Sequence, residues 1–279
     1  IRYTSLTAFN ARYRQGRINA TGSLVYTNVT EHVKIGDAPA DFQRLAPSFT
    51  VSLQPWQEQL LFLRLMYKST FRMPTFNDLY YYRLGNRSLR PEKANEYNMG
   101  ITWSRSFSSF LNYLSVTVDG YYNDVTDKIV AFPTTYAWKM ANYGKVHVTG
   151  MDATLAAAAS LGKNMVLVVS GGYTWQKAID LTDATSKSYK DQLPYTPKHS
   201  GNVSAVLEMP WVNVGYSIVG VSERYSMSQN IPENRIDGYM EHTASLSRNF
   251  SFRHCKLRLQ AEIINLTDTQ YDVIKYYPM

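Results

Sequence analysis

Apolar and polar residues alternate with a period of two along most of this chain, in segments of about ten residues, the spacing of a sheet with one apolar face. Ile18, Ala20, Gly22, Leu24 and Tyr26 fall on one side of an early segment, and Asn19, Thr21, Ser23 and Thr27 on the other. Leu61, Leu63, Leu65 and Tyr67 stand opposite Arg64 and Lys68. Tyr97, Met99, Ile101 and Trp103 oppose Asn98, Gly100, Thr102 and Ser104, and Leu114, Val116, Val118 and Tyr122 oppose Ser115, Thr117, Asp119 and Asn123. The rows Leu167, Val169, Gly171, Tyr173, Trp175, then Val203, Ala205, Leu207, and finally Leu257, Leu259, Ala261, Ile263 continue the pattern. Residues 3–13 alternate only weakly, and helical periodicity is almost absent. The pattern predicts an all-β fold of about 12 antiparallel strands.

The connections between these segments also alternate. Turn signals near residues 15, 56, 108, 163, 210 and 250 are short, whereas loops around 30–44, 71–93, 132–144, 177–198, 224–237 and after 266 are long. A soluble sandwich or propeller, the alternative reading, gives no reason for every second connection to be long. An up-and-down transmembrane β-barrel does, because one rim carries turns and the other carries outward loops. In that reading the apolar rows meet lipid and the Lys, Arg, Gln and Thr rows line a wet lumen. Tyr97, Trp103, Trp175 and Trp211 then fall near strand ends, where interfacial aromatic girdles are expected.

Composition narrows the choice. The chain has 279 residues, enough for one large β domain, and is 14% aromatic with 22 Tyr and 5 Trp, ring types suited to surfaces that are wet on one side and apolar on the other. No apolar run approaches the ~20 residues of a membrane-spanning helix. No leader-like segment opens the sequence, so it reads as a mature chain or a piece of one. The net charge is +7, but Lys and Arg are scattered, which argues for an acidic surface or acidic small ligand and against nucleic acid. Cys255 is the only cysteine, and His32, His147, His199, His242 and His254 lack metal-ligand spacing, so no protein metal site and no cofactor is expected. His242 with Ser245 is the nearest candidate for an acyl hydrolase, without a supporting acid or nucleophile elbow.

Residues 71–93 stand out, since Pro74, Pro91 and the Gly85-Asn86 turn signal make the stretch read as neither helix nor strand. It holds Tyr80, Tyr81 and Tyr82 together with Arg83, Arg87 and Arg90. Arg offers a planar donor fork and Tyr a stacking face, so Tyr80, Tyr81, Tyr82, Arg83 and Arg87 are candidates for gripping an anionic or aromatic ligand. Tyr136, Trp138, Tyr189, Lys190, Arg224 and Tyr225 are lesser candidates on the other long loops.

The segment Phe71-Arg72-Met73-Pro74-Thr75-Phe76-Asn77-Asp78-Leu79-Tyr80, followed by Gly85-Asn86-Arg87-Ser88-Leu89-Arg90-Pro91-Glu92-Lys93, resembles the barrel of TonB-dependent outer-membrane receptors. Similar matches are Tyr121-Tyr122-Asn123-Asp124, Asn142-Tyr143-Gly144, Gly150-Met151-Asp152, Leu193-Pro194-Tyr195-Thr196-Pro197 and Asn265-Leu266-Thr267-Asp268-Thr269-Gln270-Tyr271. The resemblance implies that Phe71, Arg72, Pro74, Thr75, Asp78, Gly85, Asn86, Leu89, Pro91, Glu92, Asn265, Asp268 and Tyr271 are family scaffold. It also implies a 22-stranded barrel plugged by an N-terminal domain. Residues 1–279 then make up part of that barrel, with the plug, the early strands and the last strand lying elsewhere. Expected partners are the bilayer and lipopolysaccharide of a bacterial outer membrane, the rest of the receptor, TonB through the N-terminal region, and a small ligand such as cobalamin or an iron–siderophore chelate. A passive 12-stranded channel and an outer-membrane hydrolase are the alternatives.

Overall fold

The computed structural model describes residues 1–34, 40–133, 138–162, 164–253 and 255–278. In chain order the strands are β1 (Arg2–Gln15), β2 (Ile18–Glu31), β3 (Phe42–Leu53), β4 (Leu60–Arg72), β5 (Glu92–Ser106), β6 (Leu111–Pro133), β7 (Trp138–Ser160), β8 (Val166–Asp180), β9 (His199–Glu208) and β10 (Asn213–Val221). They continue with β11 (Arg224–Tyr225), β12 (Arg235–Ile236), β13 (Tyr239–Ser251), β14 (Lys256–Ile263), β15 (Asp272–Ile274) and β16 (Tyr277–Pro278). Twelve of them form one sheet in the order β1-β2-β3-β4-β5-β6-β7-β8-β9-β10-β13-β14. Each described strand of that sheet pairs antiparallel with its neighbour in this order, while β11–β12 and β15–β16 are small separate hairpins. This is the up-and-down meander expected of a transmembrane barrel wall, in which every spanning backbone group must find a partner strand.

The turn–loop alternation holds. The links at residues 16–17, 54–59, 107–110, 161–165, 209–212 and 252–255 are short, and all lie at one end of the sheet. Pairing registers show why the two faces differ. Arg64, Gly100 and Asp119 lie abreast on β4, β5 and β6, and Arg64 spans the glycine to reach Asp119 at 2.8 Å. The same inner face carries Thr102–Thr117 at 3.0 Å, Ser104–Ser115 at 2.8 Å and Tyr121–Gln176 at 3.2 Å. On the opposite face, Leu63, Leu65, Met99, Ile101, Leu155, Val203 and Leu246 are exposed apolar side chains, the composition a lipid-facing surface requires. There Tyr67, Tyr97 and Tyr122 stand abreast with ring centroids 5.1 and 6.2 Å apart.

Several boundaries differ from the sequence reading. Phe71 and Arg72 belong to β4, Glu92 and Lys93 to β5, and between them a short helix α1 (Phe76–Tyr80) forms, so residues 71–93 are not free of regular structure. Of the expected loop 132–144, the described residues 132–133 and 138–144 are strand: β6 and β7 stay paired from Lys128–Tyr143 up to Pro133–Trp138. At 23 residues each, these strands far exceed the ~10 that cross a bilayer. Their upper ends, residues 128–133 and 138–143, pair only with each other among the described strands, so they need no lipid-facing alternation and leave no period to read. Similarly β2 runs to Glu31 and β3 starts at Phe42, inside the expected loop 30–44, and β8 extends to Asp180. The weakly patterned residues 3–13 form a complete strand, β1.

Gly150 marks a close approach on the inner face. A Cβ there would collide with the Tyr121 ring and lie 2.7 Å from the Trp175 carbonyl oxygen, which the backbone cannot relieve. At Gly22 nothing lies within 4 Å of a Cβ. Gly150→Ala should therefore lower the urea midpoint of the folded barrel by an amount worth about 1–3 kcal/mol, while Gly22→Ala leaves it unchanged. Heat-modifiable gel mobility in urea measures both, and equal midpoints for the two variants would contradict the packing.

Candidate functional site

Loops 73–91 and 181–198 lie at the rim opposite the short turns and fold onto the inner face of the strands. Residues 73–91 are the best defined. Thr75 caps α1: its Oγ1 accepts from the Asp78 amide at 3.1 Å, and Asp78 Oδ2 accepts from the Thr75 amide at 2.8 Å. That reciprocal box starts a helix that the reading of residues 71–93 as neither helix nor strand misses, and the Thr with an acid three residues on is the local signal that marks it. Leu79 then buries with Leu89, Ile129 and Met140, with Tyr80 and Leu84 packed against them. The chain leaves the helix through a turn at Gly85, where a Cβ would sit 2.7 Å from the Tyr81 nitrogen.

Polar tethers hold this loop to the β6–β7 hairpin. Arg72 donates to the Ile129 carbonyl at 2.9 Å and to Glu92 at 3.2 Å, and Glu92 accepts from the Ile129 amide at 3.0 Å. Asn86 donates to the Met140 carbonyl at 3.1 Å, and the Met140 amide to the Leu84 carbonyl at 3.0 Å. Asn142 accepts from the Arg90 amide at 2.9 Å and donates to the carbonyls of Arg90 at 3.0 Å and Asp127 at 2.6 Å. Arg90 also pairs with Asp127 at 2.6 Å. Asn142 sits 52 positions from Arg90, so nothing local in the sequence marks it as the loop's clasp. A second cluster, Val125, Val146, Ala178 and Leu193, ties loop 181–198 to the same inner face. Gln192 beneath it donates to the carbonyls of Gln176 and Thr196 and accepts from the Ala178 amide.

The predicted ligand residues divide. Tyr80 is half-buried in the first cluster, with the Arg87 guanidinium 5.3 Å above its ring. Arg87, Arg90, Arg2, Glu31 and Leu79 line a cavity of about 250 Å³ beneath the loop. Tyr81 and Tyr82 are 60% and 79% exposed, and Arg83, in a left-handed conformation at φ 64°, stacks on the Tyr82 ring at 5.2 Å. Trp138 lies at the start of β7 and packs on Tyr195 of loop 181–198, centroids 6.1 Å apart. Arg224 is 5% exposed within β11, donates to the carbonyls of Asp272 and Val273, and lies over Tyr239. It fastens the last loop to the sheet and does not face solvent. Tyr225 is half-buried and its carbonyl accepts from the Tyr195 amide at 2.7 Å. Lys190 lies 5.3 Å from the Tyr189 ring centroid. Tyr136 falls outside the described residues.

The family-like residues near the C-terminus build a turn. Asn265 accepts from the Thr269 amide at 2.9 Å and returns a bond to its carbonyl at 3.0 Å, with Asn265 and Asp268 both left-handed. Tyr271 stacks on Tyr239 at 3.8 Å and donates to Glu241 at 2.6 Å. That bond to a carboxylate, with burial, pushes the Tyr271 phenol up to about 12. As for the hydrolase candidates, His242 bonds Tyr216 on the outward face, while Ser245, three residues along the same strand, points to the other face. They cannot act together.

A section of transmembrane barrel wall with loops folded over its mouth is what these elements define. Residues 2–266 match the family described as "TonB dependent receptor-like, beta-barrel", and the chain belongs to that family. It is 32% identical over 84 residues to the vitamin B12 transporter BtuB of Vibrio vulnificus, covering 29% of this chain and 13% of that protein. It is 25% identical over 209 residues to BtuB of Photobacterium profundum, covering 72% of this chain and 30% of that one. The chain thus spans less than a third of either relative. Among solved structures, the ferric citrate transporter FecA superposes with a TM-score of 0.75 at 15% identity, over 97% of this chain and 41% of FecA. The ferric-catecholate import receptor Fiu from K12 E. coli does so with 0.68 at 18% identity, over 99% and 43%. At these identities the structures establish the fold.

Two outcomes test the rim. Asn142→Ala should speed hydrogen exchange at the Arg90 amide by about 2–10-fold, the loss of one exposed hydrogen bond worth roughly 0.5–1.5 kcal/mol; unchanged protection would mean the clasp is dispensable. The raised Tyr271 pKa adds stability that is complete below the phenol's ordinary value near 10 and is lost as pH rises through about 12. Tyr271→Phe should accordingly flatten the fall in urea midpoint across that window.

Proposed function

We propose that this chain is a barrel section of an outer-membrane receptor that takes up a scarce nutrient, of the cobalamin or iron–siderophore kind, in a TonB-coupled manner. On this reading residues 1–279 are one stretch of the barrel domain, embedded in a bacterial outer membrane with lipopolysaccharide around it. The plug, the remaining strands and the contact with TonB belong to other parts of the receptor. The barrel contributes walls and ligand contacts and carries out no bond chemistry. Matching relatives bear the name vitamin B12 transporter, and FecA, Fiu and the copper transporter OprC share the fold, so the membership favours metal-bearing nutrients without selecting one.

The observation that carries the ligand site is the division within residues 73–91. Their two ends are consumed by the capping box, the buried cluster and the Asn142 clasp, whereas Tyr81, Tyr82 and Arg83 project from the tip with no packing role. Exposing two large rings costs contact that the loop could otherwise make, and two aromatic faces beside a guanidinium suit a flat, anionic or chelate-like ligand. Replacing Tyr81, Tyr82 and Arg83 together by Ala in the full-length receptor should weaken binding of cyanocobalamin or of a ferric siderophore by about tenfold or more while leaving heat-modifiable folding intact. Unchanged affinity for every ligand the parent receptor binds would make the whole loop scaffold.

A further inference from the structure

Three of the histidines share one arrangement that the mouth of the barrel does not use. On β7, His147 lies two residues from Thr149, the partner of Tyr122 on β6; His199 on β9 stands in the same relation to Tyr173 on β8, and His242 on β13 to Tyr216 on β10. In each case the histidine is the one nearer the loops. The phenol oxygen lies 3.2 Å from Nδ1 in the first pair and 2.7 Å in the other two. A fourth histidine, His32, meets Tyr3 edge to face at 5.9 Å at the top of β1 and β2. The three bonded pairs share the face of Leu155, Val203 and Leu246, so they look toward lipid and away from the lumen.

Between β6 and β9 this row gathers positive charge. Lys145 is two residues above His147 on the same face of β7. Lys177 on β8 pairs with Thr149 and is therefore diagonal to His147, at about 7–8 Å by sheet geometry. The residue two places below it, Trp175, pairs with His199. Both lysines are exposed, and neither makes an ion pair among the described residues. The acid on this face is Asp124, 3.2 Å from His147 Nε2. Two full positive charges and two imidazoles thus sit directly above an apolar strip, with Tyr173 and Trp175 at the seam.

We propose that Lys145, Lys177 and His199 form a binding site on the outer wall for the phosphate-bearing headgroup of an outer-leaflet lipid. Tyr173 and Trp175 lie at the level where headgroup gives way to acyl chain. The site matches such a molecule in both halves: compact cations and hydrogen-bond donors for phosphate above, amphipathic rings at the boundary, aliphatic side chains below. A free anion would use only the upper half. The Tyr173 hydroxyl holding Nδ1 of His199 fixes that ring, which lowers the entropy lost when its Nε2 engages an oxygen, whereas Nε2 of His147 is already taken by Asp124. This inference rests on the outer-membrane reading of the barrel.

The test uses the full-length protein folded into phosphatidylcholine vesicles, which first asks whether it inserts and becomes heat-modifiable. Failure to insert in any vesicle would overturn the membrane reading and this site with it. For inserted protein extracted into detergent, native mass spectrometry would count short-chain phosphatidic acid against phosphatidylcholine, with inorganic phosphate as competitor. Phosphatidic acid should bind preferentially, and Lys145→Gln with Lys177→Gln should weaken it about 30-fold, from roughly fivefold per lysine at a membrane surface. His199→Asn should weaken it further, and phosphatidylcholine binding should not change. If the double lysine variant fails to fold, Lys177→Gln alone should still show about a fivefold loss. Equal binding of the two lipids, a lysine variant indistinguishable from the parent, or full displacement by inorganic phosphate would each overturn the proposal.

Discussion

Inside a bilayer no water is present to satisfy a backbone N–H or C=O, and that single constraint organises this molecule. Every described strand of the large sheet is laddered to its neighbour, from β1 to β14, because an unpaired spanning strand would cost several kcal/mol per orphaned group. The same constraint sets the side-chain code. Neighbouring residues must face opposite media, so Leu65 and Arg64, or Ile101 and Thr102, are adjacent in sequence and live in different solvents.

Beyond the bilayer the constraint lifts, and a different physics takes over. The β6–β7 hairpin continues past the membrane-spanning length and becomes a post on which loop residues 73–91 and 181–198 pack. A barrel wall is one sheet thick and has no interior of its own. The small buried clusters around Leu79 and Val146 are therefore where this chain finds conventional cores, at about 1.5–3 kcal/mol for each large apolar side chain removed from water. Polar residues then set the register of loop against post, with Glu92, Asn86, Asn142 and Gln192 bonding backbone groups across the seam.

The same residue types do unlike work in different places. Arg64 and Asp119 pair on a wet inner face with both side chains more than a third exposed, an arrangement worth about 0–1 kcal/mol. Arg224 is sequestered and used as a backbone anchor, with a nitrogen left without a partner. Tyrosines form a ladder on the lipid side, a stacked pair with Tyr239 and Tyr271 under the last loop, and an exposed tip at Tyr81 and Tyr82. Of these three settings, the tip is the most exposed.

The period-two pattern and the alternation of turns and loops by themselves determined the fold class, the strand order and which end carries the loops. These depend on neighbours in sequence and on the two media, both of which leave a local trace. The capping box at Thr75 and Asp78 is equally local, although the two prolines and the Gly85-Asn86 turn signal make residues 71–93 read as irregular. What only the tertiary structure decided was the fate of the loops. It turned residues 73–91 inward, buried Arg224, made Asn142 a clasp, extended β6 to Pro133 and began β7 at Trp138, and divided Tyr80 from Tyr81–Arg83. Apart from the β6–β7 extension, whose partners are close in sequence, those outcomes rest on contacts between residues tens of positions apart, and all lie in a region where neither lipid nor lumen imposes a period, so no spacing in the sequence could carry them.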